Sequence, residues 1–178
     1  ASGAREALEA MAWLDTRPNI RWALVDCFDP MPLLPELKTR NIPIVLSRIW
    51  ELPYASDADP MHRWKDARSL IQEGITVILD YEGDMEAMGG RNLGFMAGSL
   101  MRYGLTEAQI LPLLTIHPAK VLGLDAQIGS IEVGKEASFF LCKGSPFEPK
   151  SFDMKGAWIQ GKSINLSGPQ ERLKESYD

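Results

Sequence analysis

Apolar positions along this chain recur in two rhythms. Between Gly3 and Leu14, the residues Leu8, Met11 and Ala12 fall on one face, with Ala4 a turn earlier. Arg5, Glu6 and Glu9 fall elsewhere, the spacing of an amphipathic helix. Pro18 ends any continuation. Residues 20–26 (IRWALVD) form a short apolar run of strand type, and 42–47 (IPIVLS) and 75–80 (ITVILD) are β-branched runs of the same kind. Residues 31–40 carry Pro32 where a first helical turn tolerates it and read as a short helix. An irregular stretch from Arg48 to Pro60 follows, and residues 62–74 read as a helix ended by Gly74. Residues 81–90 read as a Gly-rich loop and 91–104 as a helix closing at Gly104. Thr106 and Gln109 form a capping-box pattern that opens the next helix. Pro112 is expected to kink or shorten it. A further turn can start at Pro118 and end at Gly123.

Beyond that point the rhythm changes. Glycines come every few residues, followed by an apolar run at 138–142 and a strand pair at 156–164 around a turn near Gln160 and Gly161. The tail after Ser167 is polar and expected to fray. Strands alternating with helices imply a parallel sheet with crossover helices. The three runs are apolar along their length, as in strands covered on both faces. Three strands can make a small open sheet but cannot close a barrel.

Composition narrows the function classes. The 178 residues carry a formal charge of −5, with 45% hydrophobic and 24% charged positions, ordinary for a globular chain that buries roughly 70% of its unfolded surface. An acidic chain (pI about 5.1) without a basic cluster lacks the footprint of a nucleic-acid partner. No run approaches the ~18 apolar residues of a membrane span. The first ten residues are charged and Ala-rich, unlike a signal peptide. The chain opens inside a helical pattern with no strand before it and no initiator Met, so the natural N-terminus is expected upstream. Cys27 and Cys142 form no CxxC or zinc-type spacing, and neither a disulfide nor a compartment follows from them. The two histidines, His62 and His117, are too far apart for HxH or HExxH. His117, before Pro118 at a helix start, is expected to make a cap or packing contact, and His62 to be exposed. The Gly-rich segment 129–134 lacks the spacing of a phosphate loop, and turns between strands account for it.

Several fixed spacings agree together from about Gly94 onward. Gly104-Leu-Thr-Glu-Ala, then Thr115-Ile-His-Pro-Ala-Lys-Val-Leu-Gly, then Ile128-Gly-Ser-Ile-Glu-Val-Gly-Lys-Glu-Ala-Ser, resemble the C-terminal signature of the metal-dependent amidohydrolase superfamily. There, "T-x-N-P-A-x-x-L-G" is followed by "G-S-x-x-x-G-K-x-A-D". His117 stands in place of the Asn and Ser138 in place of the Asp, and Gly161-Lys162 matches the closing strand. Upstream, Gly74-Ile-Thr-Val-Ile, Arg91-Asn-Leu-Gly-Phe-Met-Ala-Gly and the segment from Val25 to Ser47 resemble the imidazolonepropionase-like branch.

The resemblance implies an α/β fold: the last three strands of a TIM-type (β/α)₈ barrel plus part of a small β-sandwich. The division would be partial barrel over 1–124, sandwich segment over 125–167 and polar tail over 168–178. It also implies a divalent metal, zinc or similar, and a small-molecule substrate. Active-site groups of such barrels sit at the C-terminal strand ends. The sixth-strand metal-ligand position falls on Asp26 and the eighth-strand carboxylate on Glu82, with Asp80 as the nearby alternative; neither keeps the family's residue. Glu82 or Asp80 would accept the proton of a water activated by a metal, and Asp26 would offer an oxygen ligand. Bland readings stand beside these. Asp26 can cap the helix near Met31, and Asp80 and Glu82, before Gly83, can belong to a solvated acidic loop. Arg48 can clamp a substrate carboxylate or pair with Glu51. Trp50, with Trp64 and Tyr54, can line a pocket or cover the core.

Three functions stay open at this level. One is a fragment of an amidohydrolase acting on C–N (non-peptide) bonds of small cyclic amides or related compounds, inactive alone. Another is a catalytically degenerate relative with a binding or structural role. The third is a half-barrel interaction module that self-associates to cover its sheet edges. The partner is then a missing N-terminal half or a second copy, with no nucleic acid and no membrane.

Overall fold

Two sheets, one parallel and one antiparallel, organise the chain, with helices between and around them. The computed structural model describes residues 3–47, 49–53, 57–82, 86–168 and 173, with 86 and 87 by backbone alone. The first helix, α1 (Ala4–Asp15), forms where the pattern predicts it but turns a different face inward. Ala7 and Met11 are buried, whereas Leu8 is 43% exposed and Ala12 is exposed. The helix packs against the 3-10 turn Met31–Leu33 with Ala7 and Met11 in the core and Ala4 partly buried beside them.

The parallel sheet runs β1 (Leu24–Val25), β2 (Ile44–Ser47), β3 (Val77–Asp80), in that spatial order. Leu24 stands opposite Ile44, and Ile44 opposite Val77; at the other end Ser47 stands opposite Asp80. Strands β2 and β3 bury nearly every side chain, as continuous apolar runs should when both faces are covered. The edge strand β1 departs from that expectation: it is two residues long and leaves Val25 45% exposed. Its pairing stops where Asp26, after donating its N–H to the Val45 carbonyl at 3.1 Å, turns left-handed with φ 48°.

Helix α2 (Leu34–Arg40) follows β1 and buries Leu37; Arg40 ties it to α1 through Asp15 at 2.9 Å. Helix α3 (His62–Gln72) buries Ala67 and Leu70 and ends just before Gly74, whose φ is 81°. Full burial of one such leucine is worth about 1.5–3 kcal/mol, so Leu37 of α2 and Leu70 of α3, both at 0% exposure, anchor these helices in the core.

The stretch read as a loop is partly helical: α4 (Glu86–Gly89) leads through a 3-10 turn at Gly90–Asn92 into α5 (Leu93–Gly98) and a second such turn, Ser99–Tyr103. Gly89 makes this possible, because a Cβ there would lie 1.9 Å from the Tyr81 ring. The capping box at Thr106 and Gln109 opens α6 (Glu107–Leu114), which runs through Pro112 and stops two residues later. Helix α7 (Ile116–Leu122) closes at Gly123, φ 73°.

The antiparallel sheet is β4 (Phe139–Lys143), β5 (Asp153–Ile159) and β6 (Lys162–Ser163). Gln160 and Gly161 both take positive φ, 52° and 76°, the left-handed pair that a two-residue hairpin favours. Phe139 stacks on Trp158 across the strands, and Phe152 reaches both Phe140 and Phe95 of α5. Among the described residues no helix is long and apolar enough to cross a membrane.

Candidate functional site at the carboxyl edge of the parallel sheet

Parallel strands end on the same side, so the sheet gathers Asp26, Ser47 and Asp80 along one edge, with Glu82 two residues beyond. Asp26 follows β1 in its left-handed conformation, which aspartate tolerates better than most residues. Its side chain is 54% exposed, and its Oδ1 lies 3.8 Å from Nη1 of Arg63. The next residue, Cys27, is buried, and that burial pushes its thiol up. Its Sγ donates to the Asp29 carbonyl at 3.6 Å.

At the end of β2, Ser47 is buried and its hydroxyl donates to Oε2 of Glu82 at 3.4 Å. Asp80 Oδ1 accepts the backbone N–H of Glu82 at 2.9 Å. Asp80 therefore shapes the turn that carries Glu82, and Glu82 holds an exposed carboxylate against Ser47. Trp50, in the segment after β2, is 43% exposed and donates its indole N–H to the Ser99 hydroxyl at 3.1 Å. Trp64 donates to the same oxygen at 2.8 Å, packs against the core, and stacks on Tyr103. Trp64 thus covers the core, while Trp50 stays partly exposed with its indole N–H tied to Ser99. Arg48, Tyr54 and Gly83 lie outside the described residues.

Arg63 was not singled out by sequence reasoning, yet it links the ends of two strands. Rooted in the first turn of α3, it donates from Nη1 to the Ser47 carbonyl at 3.1 Å, and Nη2 lies 3.8 Å from Glu51 Oε2. Glu51 thus meets Arg63. A signal for it existed: a cation in a helix's first turn opposes the helix dipole and needs acidic company. The first turn of α3 holds no acidic residue of its own.

Behind this edge lies a small cavity lined by Cys27, Phe28, Pro30, Leu46, Ile49, Arg63 and Asp66, with room for about one water molecule. Desolvation raises the Asp66 carboxyl above its ordinary value. His62, expected exposed, is half-buried: Nδ1 donates to the Asp59 carbonyl at 3.0 Å, the ring lies 5.8 Å from Phe28, and Nε2 is buried without a partner among the described residues. Packing of α3 against the segment after β1 draws it in. His117 meets the packing expectation at the far end of the sheet, donating from Nδ1 to the Val77 carbonyl at 2.8 Å.

Comparison with known proteins adds the family context. A family model described as the amidohydrolase family matches residues 5–164. An imidazolonepropionase of Acinetobacter baumannii is 39% identical over 74 residues, 40% of this chain and 18% of that protein. Among solved structures, an amidohydrolase from Thermotoga maritima superposes with TM-score 0.77 at 24% identity, over 93% of this chain and 42% of that one. A zinc-bound adenosine deaminase from Xanthomonas campestris superposes with TM-score 0.54 at 18% identity, over 75% of this chain and 35% of its own. The matches therefore span less than half the length of each of these proteins.

Proposed function

The chain belongs to the amidohydrolase family, and from that membership we propose that it forms the C-terminal share of a metal-dependent hydrolase of C–N bonds, other than peptide bonds, in small cyclic amides or related compounds. In this reading residues 1–124 supply the last three strands of a (β/α)₈ barrel. Residues 125–167 supply part of a β-sandwich, and 168–178 are a polar tail. The chain alone is inactive, and its partner is an N-terminal half or a second copy. The observation that carries the reading is the row of Asp26, Ser47, Asp80 and Glu82 along one sheet edge, the edge where such barrels keep their chemistry.

Glu82 is the proton acceptor in this scheme. Its carboxylate is solvent-facing yet steered by Ser47, and Asp80 fixes the backbone beneath it. A positioned carboxylate that takes a proton from an attacking water contributes about 10²–10⁴-fold to rate. Trp50 offers an apolar wall for the substrate, and Arg48 a guanidinium suited to a substrate carboxylate.

Amidohydrolases are generally metal-dependent, and the adenosine deaminase above holds zinc. The donors among the described residues do not by themselves fit such an ion. No group of three His, Cys, Asp or Glu side chains gathers among the described residues. Asp26, the candidate oxygen ligand, already faces a guanidinium at 3.8 Å. That ion pair also favours a second reading, a relative that has lost catalysis and keeps the barrel for binding or structure. The test is a chimera in which this chain replaces the matched 42% of the Thermotoga maritima amidohydrolase. Hydrolysis of small cyclic amides by the chimera, and none by the chain alone, supports the hydrolase. A folded chimera that is inert where its parent is active supports the degenerate relative.

A further inference from the structure

Arg63 brings a fixed positive charge to the one strand end where a metal ligand was expected. Its side chain is only 10% exposed, so its long stem cannot swing into solvent. Nη1 is bonded to the Ser47 carbonyl at 3.1 Å, and Nη1 and Nη2 each lie 3.8 Å from a carboxylate oxygen, of Asp26 and Glu51 respectively. The Phe28 ring lies 6.0 Å from the guanidinium carbon, and Nε is buried without a partner among the described residues. The group is held from several sides at once.

We propose that, among the described residues, Arg63 is the resident cation of this sheet edge, clasping Asp26 and Glu51, and that Asp26 is therefore an ion-pair partner and not a metal ligand. A divalent ion bound to Asp26 would sit about 2 Å from its carboxylate oxygen, hence within about 6 Å of Nη1. Even at the dielectric of bulk water, a double and a single positive charge at that separation cost about 10-fold in affinity, and more at a partly buried edge. The left-handed backbone of Asp26 points the same way. It is a conformation that aspartate and asparagine share, so the position suits a short polar side chain meeting Arg63. The inference rests on the reading that the carboxyl edge is the functional one, but not on that edge being hydrolytic. Arg63 acts through Asp26 and Ser47 and is a positioning residue.

The test is manganese binding to the 178-residue chain at low ionic strength, followed by electron paramagnetic resonance of free Mn²⁺. Wild type and Asp26→Asn should bind Mn²⁺ alike, because Asp26 ligates nothing. Arg63→Gln should raise affinity by about 10-fold or more, the gain should vanish in Arg63→Gln/Asp26→Asn, and Arg63→Lys, which keeps the charge, should behave as wild type. A wild-type site that Asp26→Asn abolishes would overturn the proposal, as would a folded Arg63→Gln chain with no gain. Should Arg63→Gln fail to fold, the comparison of wild type with Asp26→Asn still decides, since asparagine accepts the left-handed backbone. The readout is independent of activity, so an inert chimera leaves it standing and a metal-binding Asp26 leaves the hydrolase reading standing.

Discussion

Gly98→Ala sets two known effects against each other at the point where the C-terminal segment meets the helical layer. Gly98 ends α5 with helical angles, φ −58° and ψ −27°. On propensity alone, alanine there would stabilise by about 0.8–1 kcal/mol. The added Cβ would fall 2.2 Å from the carbonyl oxygen of Phe147, 2.8 Å from its Cβ and 2.9 Å from its carbonyl carbon. Two of those atoms are backbone, and Phe147 is itself buried, so no flexible side-chain tip can yield. Overpacking of this kind costs about 1–3 kcal/mol. With a backbone oxygen at 2.2 Å the upper part of that range applies, about 2–3 kcal/mol, so sterics outweigh propensity, with a net loss of about 1–2 kcal/mol and a melting point lower by about 2–4 °C per kcal/mol. Gly90→Ala is the control, because its Cβ would meet nothing within 4 Å. Urea unfolding of the three chains at constant m-value reads the difference. A Gly98→Ala midpoint equal to or above wild type would refute the packing of Phe147 on α5.

Other outcomes follow from single contacts. His117→Ala removes the donor to the Val77 carbonyl and should cost about 1–3 kcal/mol by urea unfolding, since that carbonyl loses its side-chain partner; an unchanged midpoint would count against the bond. Asp66 has its carboxyl raised by desolvation from 3.8, so the native state binds more protons than the unfolded one above that pH. Its contribution to stability is present below pH 3.8 and is lost as pH rises through the folded value. Asp66→Asn should flatten that decline, and a parallel pH profile would contradict it. Cys27 is buried with its thiol pushed up, whereas Cys142 is only half-buried. An aromatic disulfide reagent should therefore label Cys142 first in the native chain, and equal rates would show that the segment after β1 opens readily.

Much of this fold was legible because its strands are continuous apolar runs and its turns carry glycine. The runs at 42–47 and 75–80 contain β2 and β3, and the turn at Gln160 and Gly161 falls where expected. Errors arose where tertiary contact decides. Leu8 and Ala7 are adjacent in sequence, and which of them is buried depends on how α1 packs on the rest of the fold, the Met31–Leu33 turn included. Residues 86–89 look like loop because they run into the Gly89-Gly90 pair, but Gly89 is there to let a helix lie on Tyr81. At the candidate site, Asp26, Asp80 and Glu82 were named because the family resemblance sets its site positions at strand ends, and Trp50 because it follows a strand; the sheet brings Asp26 and Asp80 to one such edge. Ser47 and Arg63 were missed because their importance is relational: one is an ordinary strand terminus, the other an ordinary helix arginine, until the sheet brings them together.

The most direct test of the hydrolase reading is Glu82→Gln in the chimera with the Thermotoga maritima amidohydrolase. The account predicts a fall in kcat of about 10²-fold or more with KM little changed, because glutamine keeps the shape and the hydrogen bond from Ser47 but cannot take a proton. A variant that hydrolyses small cyclic amides as fast as its parent chimera would show that the Glu82 carboxylate, two residues beyond β3, is not the proton acceptor.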